Sequence, residues 1–222
     1  MPDSDNLTNH IAHGIRSAIL AGELPPGTRL TQQELVKSYG GSRMPVRQAL
    51  ERLKVEQLVV TVGPRTLVVA PVSRRRMEEA FQVRIALEPF AIRLATAHVT
   101  AELLADLHMA LARIADLTRD NLSDSTIKDL LQANQAFHSV IDNAVPNEYL
   151  RQMIDQARRE TRRFSANFVP FLYQRPGRAA RELGEHRGIL RTIEEQDEES
   201  AARLLARHLA RSVEDLRDLL PD

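Results

Sequence analysis

The 222-residue sequence contains no cysteine. That excludes disulfides and thiolate metal sites and fits a reducing cytoplasm. No apolar run approaches the length of a membrane span, so no transmembrane segment is expected. The opening residues, Met1-Pro2-Asp3-Ser4-Asp5, are acidic and polar, unlike a secretory signal. The sequence therefore reads as cytoplasmic. Net charge is missing too: 30 basic side chains balance 30 acidic ones, so the total neither supports nor excludes a nucleic-acid partner. There is no exact internal repeat and no low-complexity segment. What is present is 43% apolar and 27% charged, enough for packed cores, in a length that suits one large domain or two modest ones.

Residues 1–72 read as three helices and a hairpin. Asn9–Ala21 places Ile11, Ile15, Ala18 and Ile19 on one face. Gly22-Glu23-Leu24-Pro25-Pro26-Gly27 then stops the helix with turn chemistry. Thr31 and Glu34 form a capping box, in which the hydroxyl accepts an orphan N–H and the carboxylate reaches back. The helix they open runs to Tyr39 and ends at Gly40-Gly41. Ser42 is expected to cap the next helix, with Pro45 in its first turn and Val46, Leu50 and Leu53 as its buried stripe. Leu58–Val62 and Thr66–Val69 read as strands joined by a Gly63-Pro64-Arg65 turn. This is the element order of a winged helix-turn-helix with a small β-hairpin wing.

Charge supports that reading locally. Lys37–Lys54 carries five basic residues (Lys37, Arg43, Arg47, Arg52, Lys54) and one acid, Glu51. Arg43 and Arg47, four apart, share one face near the start of their helix, while Val46 and Leu50 point the other way. Major-groove reading needs an exposed helix N-terminus and a guanidinium able to take guanine O6 and N7 in two bonds. On spacing alone, an amphipathic helix with solvated arginines is equally open.

Pro71 and Arg74-Arg75-Arg76 look like a linker, dividing the chain into domains 1–72 and 73–222. Beyond it every segment is helical: 77–98, 101–119, 124–145, 147–168, 177–195 and 198–220. Breaks are expected at Thr100, Asn121–Ser125, Val145-Pro146-Asn147, Pro170 and Pro176-Gly177. Six helices with short loops imply an all-α antiparallel bundle, so the whole chain is mainly α.

Four polar residues fall on apolar stripes of that bundle. Asn134 and His138 lie with Ile127, Leu130, Leu131, Phe137, Ile141 and Val145. His186 lies with Leu183, Leu190 and Ile193, and His208 with Leu204, Leu205 and Leu216. Buried polar groups must be paired. They are either satisfied core residues or, because imidazole with an amide oxygen suits a divalent first-row metal, ligands. His108 and His98 also lie near stripes or helix ends and are left out, His98 as a dipole partner.

Pro26-Gly27-Thr28-Arg29-Leu30, Gln33-Glu34-Leu35 and Ser42-Arg43-Met44-Pro45-Val46-Arg47-Gln48-Ala49-Leu50 resemble the N-terminal domain of the GntR family of regulators over about residues 10–70. The resemblance implies a DNA interface of Gln33, Ser42, Arg43 and Arg47, with Gly63 and Arg65 on the wing. This chain departs from the usual family pattern in having Gln33 for Arg, Gln48 for Glu and Gln57 for Gly, and in a wing one residue shorter. Phe81–Ala95, Phe137-His138 with Asn147-Glu148-Tyr149-Leu150, and Glu185–Leu190 are similar to the FadR-type (FCD) effector domain of the same family. That similarity implies a metal site on Asn134, His138, His186 and His208, holding zinc or nickel. Asn134 is the less common choice where Asp also occurs. It implies an effector contact at Arg84 as well, although on spacing Arg84 pairs equally well with Glu88.

The expected function is thus a DNA-binding transcription regulator, a repressor. Its binding to a palindromic double-stranded operator, as a homodimer, would respond to a small organic acid at or near the metal. Two alternatives differ in kind. One is a member of the same family sensing an acyl or apolar ligand without metal. The other is a three-histidine metalloenzyme. Against the enzyme, no HExxH helix places a glutamate base beside the metal, and a DNA-reading domain would be idle.

Overall fold

The structure, a computed structural model, describes residues 4–63, 66–119, 122–217 and 219, with side chains except at positions 4, 5, 124, 163, 166 and 167. The chain forms two compact units, Met1–Val72 and Ser73–Asp222.

In the first unit the elements are α1 (Ser4–Leu20), β1 (Arg29–Leu30), α2 (Gln32–Tyr39), α3 (Arg43–Val55), β2 (Val59–Val62) and β3 (Thr66–Val69). The three strands make one antiparallel sheet in the order β1-β3-β2. β1 was not expected, because two residues are too few to show a period. The hairpin closes from Val62 opposite Thr66, with Gly63 at φ +69°. Pro64 and Arg65 of the expected turn lie outside the described residues. Ile11, Ile15 and Ile19 of α1 meet Leu35, Val46, Leu50, Leu53, Val59 and Val69 in one buried core. Each such side chain contributes about 1.5–3 kcal/mol.

Local chemistry accounts for the helix ends. The Thr31 hydroxyl accepts from the Glu34 N–H at 3.2 Å and donates to the Glu34 carboxylate at 2.5 Å. The carboxylate therefore holds the hydroxyl rather than a backbone N–H. At the end of α2 the backbone turns left-handed at Gly40 and Gly41. A Cβ on Gly41 would lie 2.7 Å from Leu7 Cδ2, a side-chain end that can shift, so it is the positive φ that favours glycine there. Ser42 occupies the N-cap position of α3 but its hydroxyl makes no capping bond, a correction to the expected cap. Gln57, where the family usually has Gly, does sit at positive φ (+57°).

The second unit is all helical: α4 (Arg74–Ala97), α5 (Ala101–Leu117), α6 (Asp124–Asn143), α7 (Glu148–Tyr173), α8 (Arg178–Glu194) and α9 (Glu198–Arg217). α4 packs on α7 and α9, and α5 on α6 and α8. Thr100, Ser123 and Asn147 cap α5, α6 and α7 through their side-chain oxygens. Two expectations are overturned here. Arg74-Arg75-Arg76 is no linker but the first turn of α4, begun by Ser73, whose hydroxyl accepts from the Arg76 N–H. Pro170 does not break α7, which continues to Tyr173 with Val169, Leu172 and Tyr173 buried. Packing there outweighs the one hydrogen bond that proline removes. Among the described residues no helix is long and apolar enough to cross a membrane.

Candidate DNA interface and candidate metal centre

α3 exposes Ser42, Arg43 and Arg47 while burying Pro45, Val46, Ala49 and Leu50. The 3.6-residue period and the packing of α3 on α1 impose this division. Gln33 and Gly63 are exposed as well; Arg65 lies outside the described residues. Within the basic stripe, Arg52 bonds to Asn9 and Lys54 pairs with Glu51 at 3.0 Å. Among the described residues neither Arg43 nor Arg47 forms an ion pair. The Arg47 guanidinium rests 3.0 Å from the Met44 sulfur. Two arginines free of acids, at the start of an exposed helix, can meet phosphate or base edges without first breaking a pair.

In the second unit α6, α8 and α9 bring His138, His186 and His208 together. One ring nitrogen from each lies within 4.8 Å of the others, and all three side chains are buried. His138 Nε2 and His186 Nε2 are 3.2 Å apart. Two imidazole nitrogens bound to one zinc, each at ~2.0–2.1 Å, are separated by about 3.4 Å. Phe137 packs edge-on to His138 and 4.7 Å from the His186 ring centroid. Burial lowers both His138 and His186 well below the usual imidazole range. Arg158 and the neighbouring rings depress His138 further, and His208 and Arg178 do the same for His186. Both are therefore neutral, with a lone pair to offer.

His208 is prepared differently. Its Nδ1 bonds to Glu185 at 2.8 Å, and the other Glu185 oxygen accepts from Arg211 at 2.5 Å. Burial pushes the Glu185 carboxyl up, but His208 and Arg211 hold it down at about 2. A carboxylate on the far nitrogen fixes the tautomer and leaves Nε2 as the ligand atom. Asn134, one turn before His138 on α6, lines the same cavity; its amide nitrogen donates to the Tyr173 hydroxyl at 2.7 Å. Asn134 Oδ1, His138 Nδ1 and His186 Nδ1 are buried without a hydrogen-bond partner among the described residues. An unmet buried polar group costs ~1–3 kcal/mol, and of these three atoms Asn134 Oδ1 is an acceptor in every state. Three convergent imidazoles and a free amide oxygen make a donor set that fits zinc or nickel.

The cavity beside this cluster measures about 350 Å³, in the range of small-molecule sites. Five arginines and three acids line it. Arg84 projects there from α4, yet its Nε is bonded to Glu88 at 2.6 Å and its Nη1 to Thr161 at 3.0 Å. Arg158 grips Glu88 through two bonds and reaches Asp142 at 2.5 Å. Burial raises the Glu88 carboxyl, but Arg158 and Arg84 together bring it down to about 2. For Asp142 burial prevails over Arg158 and holds it up at about 6. Sequence reasoning missed Arg158, Tyr173, Glu182 and Glu185, whereas the Arg84–Glu88 pair that spacing allowed is present. The burial of Glu88 could also have been read: it shares the buried face of α4 with Met77, Phe81, Ile92 and Ala95. The omitted histidines are accounted for: His98 caps α4 and bonds the Leu94 carbonyl, and His108 pairs with Glu194 at the surface.

Residues 7–69 match the gntR family of bacterial regulatory proteins, and residues 79–211 match the FCD domain. The YdhC regulator of Bacillus subtilis is 24% identical over 209 residues, covering 94% of this chain and 90% of that one. The McbR regulator of Escherichia coli is 26% identical over 151 residues, covering 68% of this chain and 66% of McbR. The solved E. coli McbR/YncC structure aligns over 99% of both chains with a TM-score of 0.79 at 23% identity, a likeness of fold. These relatives are transcriptional regulators rather than enzymes. With a GntR helix-turn-helix before an FCD domain that spans more than half of it, the chain belongs to the GntR family and is a DNA-binding transcriptional regulator.

Proposed function

We propose that this regulator is a metal-dependent repressor that binds a palindromic operator as a homodimer and responds to a small organic acid in the FCD cavity. The observation that carries the metal is the convergence of three buried neutral imidazoles and the orphaned Asn134 oxygen. His138, His186, His208 and Asn134 would hold the ion, with zinc or nickel best suited. The ion supplies a fixed positive charge and open coordination positions for a carboxylate. The chain does the rest. Glu185 keeps the His208 ring in place, Phe137 closes the apolar side, and Arg84 with Arg158, both held by Glu88, lines the wall that an entering anion meets. A cavity of about 350 Å³ lined by five arginines and three acids favours a small acid that presents several oxygens at once over an apolar acyl chain. On the DNA side Arg43 and Arg47 would reach base edges or phosphate, with Gln33, Ser42, Gly63 and Arg65 flanking. One recognition helix reads only a few base pairs, so two related by a two-fold axis suit a palindrome.

The test is elemental analysis of purified protein beside operator titration. About one divalent ion per chain is expected. His138→Ala should lose the ion and the effector response while keeping part of its basal DNA binding. A metal-free preparation whose melting temperature ignores added zinc and nickel would overturn the metal reading.

A further inference from the structure

Tyr173 stands beyond Pro170, on the last turn of α7, and is buried. Its hydroxyl donates to the Glu182 carboxylate at 2.5 Å and accepts from Asn134 Nδ2 at 2.7 Å. Arg178 donates to the same Glu182 oxygen at 3.1 Å, so that oxygen accepts both bonds. Each member fixes the direction of the next. Glu182 can only accept, so the single phenolic proton points to it. The phenolic oxygen facing Asn134 can then only accept. Asn134 must turn its NH₂ toward Tyr173, which leaves Oδ1 on the other side, buried and unpartnered. Had the amide turned over, two oxygens would face each other with no proton between them.

We infer that Tyr173 and Glu182 are positioning residues that lock the Asn134 side chain with its oxygen offered as the neutral fourth donor beside His138, His186 and His208. The inference rests on the metal reading above and deepens it. The chain of bonds also explains the residue type. An Asp at 134 has no N–H to give the Tyr173 oxygen, and its carboxylate would compete with Glu182 for one proton. Asn, Tyr and Glu thus suit one another, whereas a ligating Asp would need no such support, since either of its oxygens serves.

That difference supplies the test. Metal-free protein is titrated with zinc or nickel against a chromophoric chelator, in Asn134 and Asn134→Asp backgrounds. In the Asn134 background Tyr173→Phe should weaken the metal by about 10–100-fold, the usual cost of removing an orienting partner. In the Asn134→Asp background the same change should cost less than about threefold. Glu182→Ala should weaken the metal in the Asn134 background as well, because the freed phenolic proton then lets the amide turn over. It keeps the Tyr173 ring in the core, so it carries the test should Tyr173→Phe fold poorly. Equal losses in both backgrounds would mean that Tyr173 acts through packing alone and would overturn the inference. Unchanged affinity in Tyr173→Phe and Glu182→Ala would overturn it too, while leaving the metal site standing. A wild-type protein that binds neither ion would sink both.

Discussion

Glu88 is the group whose removal the structure prices most directly. It is 1% exposed, and its two oxygens take bonds from Arg84 at 2.6 Å and from Arg158 at 2.7 and 3.0 Å. In Glu88→Gln the side chain keeps its shape and loses its charge. One amide oxygen can still accept, but Arg84 is left without a carboxylate partner and Arg158 with Asp142 alone among the described residues. The gap between the ordinary 4.5 and about 2 for this carboxyl, at roughly 1.4 kcal/mol per pH unit, corresponds to about 3 kcal/mol. Breaking a buried pair costs ~3–5 kcal/mol by independent reckoning. At ~2–4 °C per kcal/mol for a chain of this size, the variant should melt about 6–12 °C lower at pH 7. The sign with pH is fixed. A carboxyl held low when folded stabilises the protein above its unfolded pKa, and that contribution disappears as pH falls through 4.5 toward 2. The wild type therefore loses in acid what Glu88→Gln never had, and the gap between them should shrink by more than half at pH 3. Thermal melts of both proteins by circular dichroism at the two pH values decide it. A difference under about 2 °C at pH 7, or one that stays constant into acid, would refute the reasoning.

Arg43→Ala and Arg47→Ala should each weaken operator binding by ~1–3 kcal/mol where the guanidinium meets a base in two bonds. An arginine that touches only phosphate should instead lose affinity evenly across sequences and flatten the salt slope. Fluorescence anisotropy against operator and scrambled DNA distinguishes these, and unchanged affinity in both variants would remove α3 from the interface. Folded His138 and His186 sit below the ordinary 6.5 of imidazole, so their stabilisation holds above pH 6.5 and is lost as pH falls below it. Asp142, held up at about 6, offsets this in part. Chelator-treated protein should still melt several degrees lower at pH 5 than at pH 7.5, and a flat profile would count against neutral buried histidines. Sedimentation at operator-binding concentrations should give a dimer; a monomer would contradict the palindromic mode.

The order of elements was legible because caps and periods coincide in this sequence. Thr31, Gly40-Gly41, Thr100, Ser123 and Asn147 each stand at a helix boundary. The histidine set was legible for the same reason: a polar residue on an apolar stripe must face inward wherever the stripe does. Two misreadings came from trusting single residues over packing. Three consecutive arginines look unlike a helix start, but Arg75 projects 88% of its side chain into solvent and costs the helix nothing. Pro170 looks like a stop, yet buried neighbours hold the turn that follows it. The second error concealed Tyr173, which a broken helix would have left in a loop, and with it the whole chain of bonds to Asn134. Glu88, Arg158 and Asp142 come from three different helices, and no local pattern announces a contact between residues so far apart in sequence.

The arginines around the cavity are already answered. Arg84 and Arg158 hold Glu88, Arg162 holds Asp155 at 2.9 Å, Arg178 holds Glu182, and Arg151 is spent on the Val145 carbonyl at 2.5 Å. The cavity therefore carries its own counter-ions, much as an exchange resin does. An arriving anion gains little from charge alone, since it must outbid carboxylates that are held in place and lose no freedom by staying. Selection then falls on shape and on the number of oxygens presented at once. Simple salts, which offer neither, have little hold on such a wall, and buried pairs are screened far less than exposed ones.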